Sequence, residues 1–222
     1  MRSTQTVATP SAGKKAFLPS LLILPLTFAA FYFLPQYLGK TAGYLSSFAF
    51  YWIYCLVHGL QLKRGSMLGL YTFPKLRGRG LLFVLLCFIP VIGAFSASFL
   101  RAYPQLSPEL YLILAAAALV NGFVEEFYWR GAFISRYKQD FRYAFLIPAL
   151  LFGLWHISVY AAYGVEYQGG FMPLVGGAFF MGILWGYTAY KQQRILAPTI
   201  AHILTNFFAF SNLIVENWPH SL

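Results

Sequence analysis

The sequence predicts an all-α fold, a polytopic transmembrane helical bundle of about seven spans with its N-terminus inside. Three observations carry that expectation. Of 222 residues, 59% are hydrophobic and only 10% are charged, whereas a soluble domain carries about 25% charged residues. Several apolar runs exceed the roughly 18 to 20 residues that cross a bilayer as helix. The basic residues stand at the ends of those runs, and they alternate in density from one end to the next.

The first run, 17–38, follows Lys14 and Lys15 as a signal sequence would. It is too long for a typical cleaved signal and lacks a clear small-residue cleavage site, so it reads as an uncleaved first span. The second and third spans cover 42–60 and 81–100. The fourth covers 109–135 and holds two adjacent glutamates, Glu125 and Glu126. The fifth, sixth and seventh cover 142–163, 171–190 and 195–215. Pro25, Pro35, Pro90, Pro148, Pro173 and Pro198 fall within or at the ends of these runs. Membrane helices tolerate the resulting kinks when neighbours satisfy the freed carbonyls. Residues 1–16 are polar and small, and read as a disordered cytoplasmic tail. Residues 17–215 read as one transmembrane domain, and residues 216–222 as a short extracytoplasmic tail.

Charge sets the orientation. Alternate segments carry 3, 5, 3 and 2 Lys and Arg against 1, 1, 0 and 0, so 13 basic residues face 2, and Arg130 is left inside a span. The positive-inside rule then puts the N-terminus in the cytoplasm and the C-terminus outside. The formal net charge of +10 does not indicate nucleic acid, because the basic residues form neither a long cluster nor a helix face. Cys55 and Cys87 lie inside apolar runs without metal-ligand spacing and read as small buried thiols. In the sixth span, Gly182 and Gly186 have the small-xxx-small spacing of close helix contact.

Three polar motifs fall on three spans. Only six acidic residues exist in the chain, and Glu125 and Glu126 occupy an apolar stretch. A carboxylate in lipid is costly, and such groups face the protein interior and do a job. Glu126 and Arg130 are i and i+4 and share a helix face. Glu125 lies about 100° further round, free to point elsewhere. The second motif is Phe152-Gly153-Leu154-Trp155-His156. The third runs from His202 to Asn206, again i and i+4. Counted from the cytoplasmic ends at about 1.5 Å per residue, Glu125 stands about 15 Å up, His156 about 21 Å, His202 about 10 Å and Asn206 about 16 Å. At such similar depth the set suits the activation of a water: the glutamate takes its proton while the histidines position it or the developing oxyanion. The same groups also suit a divalent metal. Each motif alone also reads as neutralising or helix-tying polar groups.

The motifs E-E-x-x-x-R, F-x-x-x-H and H-x-x-x-N, in this order on successive helices, resemble those of the CPBP intramembrane proteases. That family includes the type II CAAX prenyl endopeptidases and bacterial relatives tied to bacteriocin processing and immunity. The resemblance runs from Glu125 to Asn206. It implies an intramembrane endopeptidase in which Glu125 is the general base and Glu126 and Arg130 form the supporting pair. His156 positions the water, and His202 and Asn206 stabilise the oxyanion. It leaves a metal, such as zinc on Glu125, His156 and His202, as the alternative to a metal-free glutamate mechanism. The implied partners are the lipid bilayer and a membrane protein or lipid-anchored peptide, cut for C-terminal processing or for removal of a leader or sorting segment. The implied location is multi-pass, in a bacterial plasma membrane. Two rivals stand beside this reading: an idle family member serving as an immunity or scaffold protein, and a small transporter that uses the polar cluster for ions.

Overall fold

In the computed structural model, which describes residues 10–74 and 76–218, seven helices are long and apolar enough to cross a membrane. They are α1 (Pro10–Leu38), α2 (Lys40–Leu62), α3 (Arg79–Gln105), α4 (Pro108–Tyr137), α5 (Arg142–Tyr160), α6 (Met172–Gln192) and α7 (Leu196–Asn217). No strand occurs among the described residues. The seven expected spans are all present, with ends that shift by a few residues. Residues 1–9 of the expected tail and residues 219–222 lie outside the described residues. The chain is a multi-pass integral membrane protein. Its outward surface carries Leu22, Phe33, Ile53, Leu85, Ile92 and Leu112 as exposed apolar side chains, the expected face toward lipid.

Local sequence explains the joints. Gly39 joins α1 to α2 in a single residue with φ of +82°, a conformation that costs a glycine little. Ser107 caps α4 by accepting a hydrogen bond from the Leu110 amide at 3.4 Å. Pro108 takes the first helical position, and Glu109 stands in the first turn, where a negative charge suits the helix dipole.

α4 is the inner helix. It packs along α7 and also meets α2, α5 and α6. Close approach depends on small residues. A Cβ on Gly122 of α4 would lie 2.7 Å from the Ile203 side chain and 3.0 Å from its backbone nitrogen, so Gly122 lets α7 come against α4. Gly182 of α6 faces the Ala149 carbonyl of α5, which its missing Cβ would meet at 2.7 Å, and Gly186 sits over Phe145. The small-xxx-small pair is therefore a helix contact. Thr27 of α1 donates to Ser158 of α5 at 3.0 Å, a polar tie between outer and inner helices. Cys55 and Cys87 are buried free thiols.

Candidate active site

α4 changes pitch where its polar residues begin. It is α-helical through Glu126 and widens into a π turn over Phe127–Ala132, which contains Arg130. Such wide turns recur at functional sites, since an extra residue per turn redirects side chains. Glu125 and Glu126 are both fully buried, and Arg130 is 2% exposed. The Arg130 guanidinium lies 2.8 Å from Glu126 Oε1, as the i, i+4 spacing requires. Its carbon also stands 4.2 Å from the centre of the Phe152 ring, so an aromatic face contributes to holding a charge out of water.

α7 brings His202 between the two carboxylates. Its Nδ1 is 2.9 Å from Glu126 Oε1 and its Nε2 is 3.1 Å from Glu125 Oε2. The two glutamates, which the sequence left free to point apart, thus share one partner. The helix does turn by about 100° between them, but one imidazole has two nitrogens on opposite edges and fits the gap. Both His202 nitrogens are turned to carboxylates. An ionised carboxylate only accepts hydrogen bonds, so filling both contacts takes two N–H donors on His202, or one proton on a carboxyl group. Glu125, His202, Glu126 and Arg130 thus form one buried chain of contacts. The Trp185 ring of α6 lies 4.6 Å from that of His202 and shields it.

Glu125 has two further partners that the sequence reading did not include. The Tyr51 hydroxyl of α2 donates to Oε1 at 2.7 Å, and Asn121 Nδ2 donates to Oε2 at 3.1 Å. Both partners are themselves held. Trp129 donates to the Tyr51 oxygen at 2.8 Å, Trp155 stacks on the Tyr51 ring at 3.7 Å, and Trp52 donates to Asn121 Oδ1 at 2.8 Å. Asn121 was within reach of inspection, since it precedes Glu125 by four residues and so shares its helix face. Tyr51 carries no such signal, as 74 positions separate it from Glu125.

His156 reaches the same region across the Phe152 ring, which lies 4.9 Å from the His156 ring and 5.8 Å from that of His202. Its Nδ1 donates to the Phe152 carbonyl at 2.7 Å. That bond fixes the tautomer of a neutral ring and leaves Nε2 as an acceptor. Asn206, one turn beyond His202, is buried, and its Nδ2 has no partner among the described residues. The four expected residues Glu125, Glu126, Arg130 and His202 are therefore in direct contact, His156 neighbours them across the Phe152 ring, and Asn206 stands one helical turn beyond His202.

The donor set does not make a metal site as arranged. Among the described residues no three His, Cys, Asp or Glu side chains are grouped to hold a metal ion. Glu125, His156 and His202 are instead tied to Tyr51, to a backbone carbonyl and to Glu126, respectively.

A family model described as Type II CAAX prenyl endopeptidase Rce1-like matches residues 107–208, a stretch that contains all six of these residues. Over residues 107–208 the chain is similar to Rce1-like proteins. Proteolysis inside the membrane is the activity that this family implies. No curated protein and no solved structure matches the chain.

Proposed function

We propose that this Rce1-like chain hydrolyses a peptide bond of a membrane protein or membrane-anchored peptide, with Glu125 as the base that activates water. The carrying observation is the bonding of the Glu125 carboxylate. An ionised carboxylate offers about four acceptor positions, and Tyr51, Asn121 and His202 fill three. One position remains for a water. His156 Nε2 supplies a second acceptor that orients that water.

The proposed reaction balances within these groups. The water oxygen bonds to the peptide carbonyl carbon, and a water proton passes to Glu125. The carbonyl oxygen becomes an oxyanion, which the unpartnered Asn206 amide is suited to receive as a donor. The carbon–nitrogen bond then breaks, and the proton on Glu125 moves to the leaving amine. His202 tunes the base, and the Glu126–Arg130 pair keeps its charge balanced. No step runs through a metal. The implied substrates are proteins or peptides that lose a C-terminal segment, a leader or a sorting signal.

Glu125→Gln keeps shape and removes the base, so it tests the reading. Membranes carrying the parent or the variant at equal levels are compared by mass spectrometry of peptide termini. The parent is expected to create termini that the variant lacks, and rates for such a product are expected to fall by about 10² to 10⁴. Identical terminus profiles would favour the idle-scaffold alternative.

A further inference from the structure

The loop between α2 and α3 is more than a tether. Met67–Tyr71 wedges against the helices that carry the site. A Cβ on Gly131, beside Arg130, would collide with the Met67 methyl group. The Ile195 amide, just before α7, donates to the Leu70 carbonyl at 2.8 Å. Tyr71 stacks on Phe123 of α4, with ring centres 5.6 Å apart and planes 18° from parallel. Phe123 precedes Glu126 by three residues and so shares its helix face.

Beside Arg130, whose guanidinium nitrogens also lack a well-aligned hydrogen bond, this region holds two further buried and complementary atoms. Among the described residues, the Tyr71 hydroxyl and Glu126 Oε2 each lack a hydrogen-bond partner. Glu126 Oε1 already faces both Arg130 and His202. A buried polar atom left without a partner costs about 1–3 kcal/mol, and more when charged, so natural sites rarely keep one. One atom is a donor and the other is an acceptor. Burial, and after it the charge of Glu126, raises the pKa of the Tyr71 phenol above its ordinary value, so it keeps the proton it would donate.

We propose that Tyr71 is a positioning residue of this site, whose phenolic O–H serves Glu126 Oε2, directly or through one water. The inference deepens the protease reading and rests on it for its meaning in catalysis. A donor at Oε2 spreads the charge of Glu126 and weakens its hold on the His202 Nδ1 proton. It thereby sets how that proton is shared with Glu125. The loop joins α2, α4, α5, α6 and α7 as a contributor to the site.

The test does not need a substrate. Tyr71→Phe keeps the stacked ring and removes only the hydroxyl. Thermal unfolding of Tyr71→Phe, Glu126→Gln and the double variant in lipid nanodiscs forms a double-mutant cycle. Tyr71→Phe is expected to lower the melting temperature in the parent and to have much less effect when Glu126 is already Gln. Purely additive shifts would overturn the proposal. If Glu126→Gln fails to fold, infrared spectra of the parent and Tyr71→Phe with ¹³C-labelled glutamate replace the cycle. A shift in one carboxylate band is expected, and unchanged bands would overturn the proposal. A coupling found alongside terminus profiles that Glu125→Gln leaves unchanged would count against the protease reading alone.

Discussion

Tyr51 shows how one hydroxyl holds three parts of the site in place. Its oxygen accepts from Trp129 on α4 and donates to Glu125, while its ring lies under Trp155 of α5. Tyr51→Phe preserves the stacking and deletes both hydrogen bonds. It leaves the Trp129 N–H and one Glu125 oxygen unpaired in a water-poor interior, a loss of about 1–3 kcal/mol. A lower thermal midpoint is expected in nanodiscs, together with a loss of activity larger than the loss of folded protein. Unaltered activity would show that the hydrogen bond to Oε1 has no part in the chemistry. At this scale the sequence was partly legible. Glu125, Glu126, Arg130 and His202 announced themselves as polar groups in apolar runs, and they do meet. Tyr51, Trp52 and Tyr71 looked like ordinary aromatic residues in a chain that is 20% aromatic. Which hydroxyl or ring N–H faces a carboxylate depends on which helices are neighbours, and periodicity along one helix does not specify its neighbours.

Helices were the most readable level, because a span must be long and apolar whatever it packs against. The expected spans and the observed helices agree in number and order. Pitch was not readable. The π turn over Phe127–Ala132 contains no proline, so nothing local in the sequence marks it. Contact distance between helices was readable only through glycine, and it gives a sharp test. Gly122→Ala places a methyl group 2.7 Å from Ile203 on the helix that carries His202. Overpacking of this kind costs about 1–3 kcal/mol. The expected result is reduced stability and a marked loss of activity as His202 moves off the carboxylates. Gly177→Ala is the control, because nothing lies within 4 Å of its added Cβ. It is expected to leave activity intact and to raise stability by about 0.5–1 kcal/mol. Equal effects from the two substitutions would detach the site from the α4–α7 spacing.

Orientation in the membrane belongs to the whole molecule. The alternation of 13 basic residues against 2 predicts an N-terminus in the cytoplasm and, with seven spans, a C-terminus outside. Reporter fusions after Leu222 are expected to read as extracytoplasmic. A cytoplasmic reading there would invert the proposed arrangement and put the α2–α3 loop on the other face. The wedge of Met67–Tyr71 against α4 would be unchanged, since it depends on contacts and not on the side of the bilayer.

The bridge made by His202 also has a meaning in time. His202 lies 76 positions after Glu126, so a ribosome delivers two carboxylates to the membrane long before it delivers the imidazole between them. Until then Arg130 is the charge that travels with them, and it can balance only one. The growing protein therefore passes through a stage in which α4 carries a carboxyl group without its imidazole partner, a form open to membrane quality control. A chain stopped after Gln192 is expected to be degraded rapidly, and co-expression of the missing segment 193–222 is expected to restore its level. Rescue should fail when that segment carries His202→Leu. If the truncated chain accumulates like the full one, the newborn membrane protein does not wait for its last helix.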